Sequence, residues 1–349
     1  MADIFGIRGM LLEEAILYLL RVSGYRTLEI LTPGNDPTIN GDCYSGLKVL
    51  GRGGVHQIDA IADFTITLPF SYPHRLLVEA KCYSDDRPIG IEFVRNAVGV
   101  LKDVGEFWVS REGIPPKARY HYQYALFSSS RFTGDSEKYA FAHNIYLIPL
   151  MKSKFIQPIV RAIRKISSRS FAVSARQPIP VGMIDLRRAV RSSIRNPQTH
   201  ELVEVLADYR QALPAFRAFI QECRKVNQAM IAMIAGRFPI FLVPAPGVAI
   251  SELRDEYSVR IRWDEEGWYI HANGRVLFSF DLPPDLFTYY AEQGILSPSQ
   301  ALSLKEEVFS EIQGITTRND QFHVIRLKLD REWLHRVRER INQVSGKSR

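Results

Sequence analysis

The chain has 349 residues, 46% hydrophobic and 24% charged, which is enough for two domains with sizeable cores and too apolar for a disordered protein. Its three cysteines, Cys43, Cys82 and Cys223, show no Cys-x-x-Cys or Cys/His ligand spacing, so a disulfide framework and a zinc site are not indicated and a reducing cytoplasm fits. The net charge of +7 is concentrated: residues 1–151 carry 15 basic against 17 acidic side chains, residues 152–195 carry 11 against 1, and residues 196–349 carry 19 against 20.

The N-terminal stretch "MADIFGIRGMLLEEAILYLL" holds Glu13 and Glu14 inside its apolar run, so it is expected to be neither a signal peptide nor a membrane span. Leu11, Leu12, Ala15, Ile16, Leu19 and Leu20 predict a helical face over about 9–22, stopped by Gly24. "RTLEIL" and "GLKVLG" predict short strands. "VHQIDAIADFTI" alternates Val55, Gln57, Asp59 and Ile61 against His56, Ile58, Ala60 and Ala62, which predicts one continuous strand. After the turn-forming "PFSYP" comes a second strand, "HRLLVEAKCY". A helix over about 91–106, a strand "YQYALFS", a helix over about 133–143 and a strand "IYLIPL" follow. This order predicts an α/β fold, a mixed sheet with helices packed on it, over residues 1–151.

Residues 152–196 mix two helix-like basic runs with a Ser/Pro/Gly-containing middle, the pattern of an interdomain connector. Such a concentration of cations is used either as a solvated linker or to neutralise phosphates; Arg161, Arg164 and Lys165, clustered on its first helix, are the candidates for contact with a DNA backbone. Residues 197–349 predict a separate α+β domain. Its first part gives two helices, the second long and amphipathic with Phe216, Phe219, Ile220, Cys223, Val226 and Met230 on one face. "YSVRIRWDEEGWYIHANGRVLFSFDL" predicts an antiparallel meander with turns at "DEEG" and "ANG", followed by two helices, a strand "HVIRLKL" and a terminal helix. Trp263, Trp268 and Tyr269 serve either as packing or as stacking platforms for bases.

Two adjacent predicted strands each carry an inward carboxylate, Asp59 and Glu79, with Lys81 one pleat beyond Glu79 on the same face. Paired carboxylates repel and are costly to bury, so a divalent cation is the economical reason for them. Mg²⁺ suits them, with Mn²⁺ as a substitute: a hard cation on one or two carboxylates keeps positions for water and a phosphate oxygen. Lys81 is then placed to orient or deprotonate the water, or to counter charge building on phosphorus. Ion pairing of the carboxylates with Lys81 and Arg52 is the structural alternative.

Asp59 followed at a distance by Glu79-Ala80-Lys81 resembles the PD-(D/E)xK nuclease superfamily, and the surrounding segments resemble its Mrr-like restriction endonuclease branch. "LLEEAILYLLRVSGYR" looks like the opening helix, with Glu13 at the fitting distance from Gly24-Tyr25. "GRGGVHQIDAIA" looks like the Gly-rich approach to the metal-binding aspartate, "VEAKCY" like the catalytic strand and "IGIEFVRNAVGVL" like the helix after it. "YALFSSSRFTGDSEKYAFAHNIYLIPL" looks like the closing strand, helix and strand. Gln57-Ile58 stands where the Mrr branch more usually has Gly-Ile, and the resemblance ends near residue 165.

The resemblance implies a restriction-endonuclease-like fold and a cytoplasmic, Mg²⁺-dependent endonuclease that hydrolyses DNA phosphodiester bonds, double-stranded DNA being the expected partner, in restriction or anti-phage defence. Asp59 and Glu79 would be metal ligands, Lys81 catalytic, and Glu13 a further metal-site residue, with Glu14 beside it as the alternative. Gln57, on the Asp59 face, is a candidate for touching the water or the phosphate. Arg95 and Ser129 are candidates for phosphate contact, with a surface ion pair and helix capping as their structural alternatives. Repair or recombination nucleases, including junction resolvases, share this chemistry, and a non-catalytic nucleic-acid binder would share the fold. Inward carboxylates facing a polyanion argue against the binder. The C-terminal domain is expected to select DNA, sense a trigger, or form a homodimer or partner interface.

Overall fold

The computed structural model describes residues 3–28, 36, 38–42, 46–64, 70–106, 119–174, 177–225, 229–234, 238–264, 267–283, 286, 298–318 and 321–346. Two compact units divide the chain, Met1–Asn227 and Gln228–Arg349.

In the first unit, helix α1 (Ile4–Val22) starts where the Asp3 carboxylate accepts from the Gly6 N–H at 2.5 Å. It ends before Gly24, whose φ of +92° glycine adopts without cost. Strand β1 (Tyr25–Thr27) leads to an antiparallel meander of β2 (Ile39–Asp42), β3 (Gly46–Leu50) and β4 (Val55–Ile58). Then come β5 (Ala60–Phe64), β6 (His74–Lys81), α2 (Ile91–Gly105), β7 (His121–Ser128), α3 (Gly134–Ala142) and β8 (Ile145–Pro149). The main sheet has the order β1-β5-β6-β7-β8. Its β1/β5 and β5/β6 pairs are antiparallel, while β6/β7 and β7/β8 are parallel and are joined by the crossover helices α2 and α3.

The strand expected to run unbroken through Asp59 is two strands. β4 pairs with β3 and β5 with β6, so the chain bends at Asp59 and passes from one sheet to the other. Alternation survives such a bend, which is why the pattern conceals it.

β6 is central and covered on both faces, so Leu76, Leu77 and Val78 are all buried in succession. Ile61, Leu77, Tyr124 and Leu126 form one core layer with Val94 and Ala97 of α2. Glu79 and Lys81 continue the Leu77 face of β6 toward the strand's C-terminal end.

The segment expected to be a connector, 152–196, folds onto this unit, and so do the helices assigned by sequence to the domain beyond it. Four helices follow β8: α4 (Gln157–Lys165), α5 (Met183–Arg195), α6 (Glu201–Val205) and α7 (Leu213–Lys225). α4 and α5 both pack against α1 and α7. The physical reason is their apolar stripes: Ile159, Val160 and Ile163 of α4, and Leu186, Ala189, Val190 and Ile194 of α5, are buried while several basic residues line the other faces.

The second unit holds β9 (Met230–Ile234), β10 (Phe238–Pro244), β11 (Glu256–Asp264), β12 (Gly267–Ala272), β13 (Arg275–Phe280), α8 (Pro298–Phe309), β14 (Glu311–Arg318), β15 (Gln321–Leu329) and α9 (Arg331–Gly346). The expected α+β domain is thus a closed seven-stranded barrel, β10-β13-β12-β11-β15-β14-β9, with helices. Among the described strands of the barrel, β11 and β15 are the parallel pair. Asn273 and Gly274, with φ of +51° and +77°, make the two-residue turn between β12 and β13. Glu265 and Glu266 of the other expected turn lie outside the described residues, as does Val226 of the expected long helix.

The described part of that helix runs to Lys225 in the first unit, and Met230, assigned to the same face, lies buried on β9. The run "AMIAMI" carries apolar residues at both periods, so periodicity alone does not separate helix from strand there. Trp268, partly buried, packs against the barrel core with its ring 5.7 Å from that of Phe309, whereas Trp263 is 66% exposed. Among the described residues, no helix is long and apolar enough to cross a membrane.

Candidate active site

Glu79 and Lys81 stand two residues apart at the end of β6, where period-2 alternation puts them side by side. Lys81 Nζ lies 2.5 Å from Glu79 Oε1, and the Tyr124 hydroxyl of β7 donates to Glu79 Oε2 at 2.9 Å. Asp59 reaches the same place from the bend between β4 and β5. Since Ala60 pairs with Val78, the register extended by one residue sets Asp59 opposite Glu79. The Ala80 N–H donates to Asp59 Oδ2 at 2.8 Å, which fixes the carboxylate between Glu79 and Lys81 along the strand. Both groups of the ion pair stay reachable, with 15% of the Glu79 and 22% of the Lys81 side chain exposed.

The electrostatics show negative charge in excess of its compensation. Burial first, and the nearby Glu13 carboxylate second, push the Asp59 acid up to about 6; Glu79 adds to the rise, while the Ala80 N–H and Lys81 oppose it. Burial disfavours the Lys81 ammonium, but Glu79 and then Asp59 outweigh it and hold its pKa above the ordinary value. Burial and then Glu79 raise the Tyr124 hydroxyl, which therefore remains a proton donor.

This arrangement has a pH signature in the metal-free protein. From the ordinary 3.8 to about 6, folded Asp59 holds a proton that the unfolded chain has released, so its contribution is fullest below pH 4 and is lost as pH rises through 6. The loss is on the order of 3 kcal/mol, at about 1.4 kcal/mol per unit. Asp59→Asn, which mimics the protonated acid, is expected to match the wild type in urea unfolding with EDTA at pH 4 and to be the more stable protein at pH 7. Equal stability at both pH values would contradict the raised acid.

Glu13, the expected further metal-site residue, is close enough to Asp59 to raise it, yet it also pairs with Arg187 of α5 at 2.6 Å. Its neighbour Glu14 is buried and held by Arg191, with Nε to Oε2 at 2.7 Å and Nη2 to Oε1 at 2.6 Å, and by Arg187 at 3.3 Å. Two of the eleven basic residues counted in 152–195, Arg187 and Arg191, are thus consumed inside the fold. Arg52, the other proposed partner for the carboxylates, lies 3.5 Å from Glu106 instead.

Other candidates separate. Gln57 belongs to β4 in the meander, where it is exposed and pairs in register with Lys48. Its side chain lies over Gly46, where an added Cβ would meet Gln57 Nε2 at 3.2 Å. Ser129 is wholly buried; its hydroxyl donates to the Tyr83 carbonyl at 2.7 Å and its N–H to the Lys81 carbonyl at 2.9 Å, so it is not offered to a phosphate. Arg164 is committed to Asp85 at 2.7 and 2.8 Å and to the Ser129 carbonyl at 2.9 Å. Arg161 and Lys165 are exposed on α4, and Arg95 is exposed on α2, its guanidinium 5.8 Å from the Tyr139 ring centre.

Sequence reasoning missed Tyr124, although its place in "YQYALFS" puts it on the face of Leu126 beside β6. It also missed a buried network at the other end of β6. There Arg75, with no exposed surface, bonds Asp63 at 2.6 and 3.0 Å, Asp36 at 2.7 Å and Thr38 at 2.9 Å beneath the Tyr120 ring.

As a cation site, the cluster has a hard-oxygen donor set in Asp59 and Glu79, and the raised Asp59 acid marks charge that a cation would neutralise. Among the described residues, no group of three or more His, Cys, Asp or Glu is arranged to hold a metal. The fit is therefore to an ion that takes two carboxylates and keeps its remaining positions for water and substrate, as Mg²⁺ does.

No protein-family model matches the chain, and no curated protein is similar to it in sequence. Among solved structures, AF1548, a protein of unknown function, shares 16% identity over 62% of this chain and 97% of its own, with a TM-score of 0.34. The DNA modification-dependent restriction endonuclease AspBHI shares 16% identity over 39% of this chain and 27% of its own, with a TM-score of 0.22. At these TM-scores neither likeness carries an argument about fold or activity.

Proposed function

We propose that the protein is a Mg²⁺-dependent endonuclease that hydrolyses phosphodiester bonds of DNA, of the Mrr-like kind that the motif Asp59…Glu79-Ala80-Lys81 resembles. The observation that carries the reading is the convergence, at the chain bend, of two carboxylates and an ammonium held together by the Ala80 N–H and the Lys81–Glu79 pair. Two carboxylates and a lysine gathered at a largely buried sheet end cost stability, and groups with perturbed titration cluster where chemistry needs them.

Asp59 and Glu79 would hold the ion, Asp59 oriented by the Ala80 N–H and Glu79 by Tyr124. Bound Mg²⁺ supplies a Lewis acid for the phosphoryl oxygen and a water of lowered pKa. Lys81, partly exposed, holds its positive charge where the attacked phosphate would lie and offsets the negative charge that grows there. Asp59 and Glu79 would share the holding of the ion with water, and Lys81, paired with Glu79 at 2.5 Å, would keep its ammonium at the edge of that site.

The test is incubation of purified protein with supercoiled, linear and methylated DNA in Mg²⁺ or in EDTA. Nicking or cutting in Mg²⁺ that EDTA abolishes supports the reading; no cleavage of any substrate with Mg²⁺ or Mn²⁺ refutes it.

Substrate affinity has its own expectation. Arg161 and Lys165 are exposed on α4, whereas Arg164 is spent on Asp85. Arg161→Gln with Lys165→Gln is therefore expected to make the dependence of log K on log salt shallower by about 2, and Arg164→Gln to act mainly through stability. Titrations of labelled duplex at several salt concentrations check this; an unchanged slope in the double variant would remove α4 from the DNA path.

A further inference from the structure

A cleft of about 620 Å³ opens beside Lys81, between α1, the end of β6 and its following loop, and α4. Its volume is that of a small-molecule site, roughly 300–1,000 Å³. We propose that this cleft receives an unpaired nucleotide of the substrate, next to the phosphate that is cut; the proposal rests on the nuclease reading for the identity of the polymer.

The walls carry the chemistry that a nucleotide requires. Phe5, on the first turn of α1, lines the cleft and is 71% exposed, so its ring is open to a ligand lying there. The loop after β6 contributes Tyr83 to the lining, with the Arg87 guanidinium 4.2 Å from its ring centre. An aromatic ring and an arginine–tyrosine stack are platforms for a base, and stacking is indifferent to sequence because every base has a π-face.

Charge favours the phosphate. Four cations line the cleft: Arg164 pairs there with Asp85 and Lys81 with Glu79 beside it, so the surplus of positive charge offered to an anion is that of Arg8 and Arg87. Arg8 and Arg164 are held rigidly: Arg8 donates to the carbonyls of Ile166 at 2.9 Å and Arg164 at 2.8 Å. A preset cationic wall costs little ordering when an anion arrives.

Gly9 is the third observation. It sits inside α1, where glycine costs about 1 kcal/mol relative to alanine. Neither backbone nor packing requires it: it is not among the positive-φ glycines, and an added Cβ would meet no atom within 4 Å. It does line the cleft, and a side chain there would project into it. An unpaired nucleotide accounts for the bare helix surface, the uncovered ring and the cations together.

The experiment measures binding in EDTA, so that cleavage plays no part. Two duplexes are compared, one fully paired and one with a single unpaired 2-aminopurine. Wild type is expected to bind the second at least about tenfold more tightly and to quench its fluorescence, given the usual strength of base stacking on aromatic side chains. Gly9→Met, which fills the cleft and improves helix propensity, should abolish both preference and quenching without lowering thermal stability or affinity for the paired duplex. Phe5→Ala, at an exposed position, should remove the quenching independently. Equal binding of the two duplexes by wild type, or a preference that survives Gly9→Met, overturns the proposal. Loss of the nuclease reading would appear separately, as absent cleavage in Mg²⁺ with this binding preference intact.

Discussion

Glu79→Gln is expected to lower the rate of Mg²⁺-dependent DNA cleavage by at least about three orders of magnitude, because the electrostatic and water-activating roles of a bound cation are lost together. The substitution keeps the shape and an acceptor for the Tyr124 hydroxyl, so the fold should persist. Affinity for DNA should fall little, since it comes from cations elsewhere. Lys81→Met should also slow cleavage strongly, yet leave the Mg²⁺ concentration for half-maximal rate nearly unchanged, as an ammonium is no ligand. Single-turnover cleavage across a Mg²⁺ titration separates the two variants. Wild-type rates in Glu79→Gln would end the nuclease assignment, and a rightward Mg²⁺ shift in Lys81→Met would end the role given to that lysine.

Glu14→Ala should destabilise the N-terminal unit by about 3–5 kcal/mol, the usual cost of stranding one partner of a buried ion pair. Glu14 is 2% exposed and Arg191 is 5% exposed, so neither solvent nor salt replaces what is removed. Glu13→Ala, at a more open position, should cost less. Pairing Glu14→Leu with Arg191→Leu should recover most of the loss, because two apolar side chains need no partner. Urea unfolding of the four proteins checks the order. A Glu14→Ala variant as stable as wild type would mean that α5 is held to α1 by its apolar stripe alone.

Legibility of the sequence followed the range of the interactions. Glu79 and Lys81 were visible because two residues on one strand have a fixed phase, and Asp59 because its own strand alternated cleanly. The bend at Asp59 was not visible, since it changes the strand's partner without changing the alternation. The basic run after β8 misled for a different reason: two of its arginines, Arg187 and Arg191, answer Glu13 and Glu14, which lie about 174–177 residues away in sequence. Local charge counting sees one side of such a pair. Arg75 with Asp63 and Asp36 was hidden likewise, each residue ordinary in its own strand or loop. The helix α7 was recognisable from its apolar stripe and α4 and α5 as helix-like basic runs, but the body that all three join was not.

The barrel's topology bears on how the second unit is made on the ribosome. Taken without β14 and β15, its strands form an open sheet in the order β9-β10-β13-β12-β11, with β9 and β11 as edges. The hairpin of residues 311–329 then enters between them, β14 pairing with β9 and β15 with β11, at contacts 70 residues apart in sequence for β15 and 78–84 for β14. At synthesis rates of about 5–20 residues per second, the open sheet persists for seconds with two rows of unpaired amides and carbonyls. Such rows recruit foreign strands. A chain halted after Ser310 keeps both edges open, so incomplete products of this unit are the form most exposed to strand-to-strand aggregation, and the last hairpin is the seal.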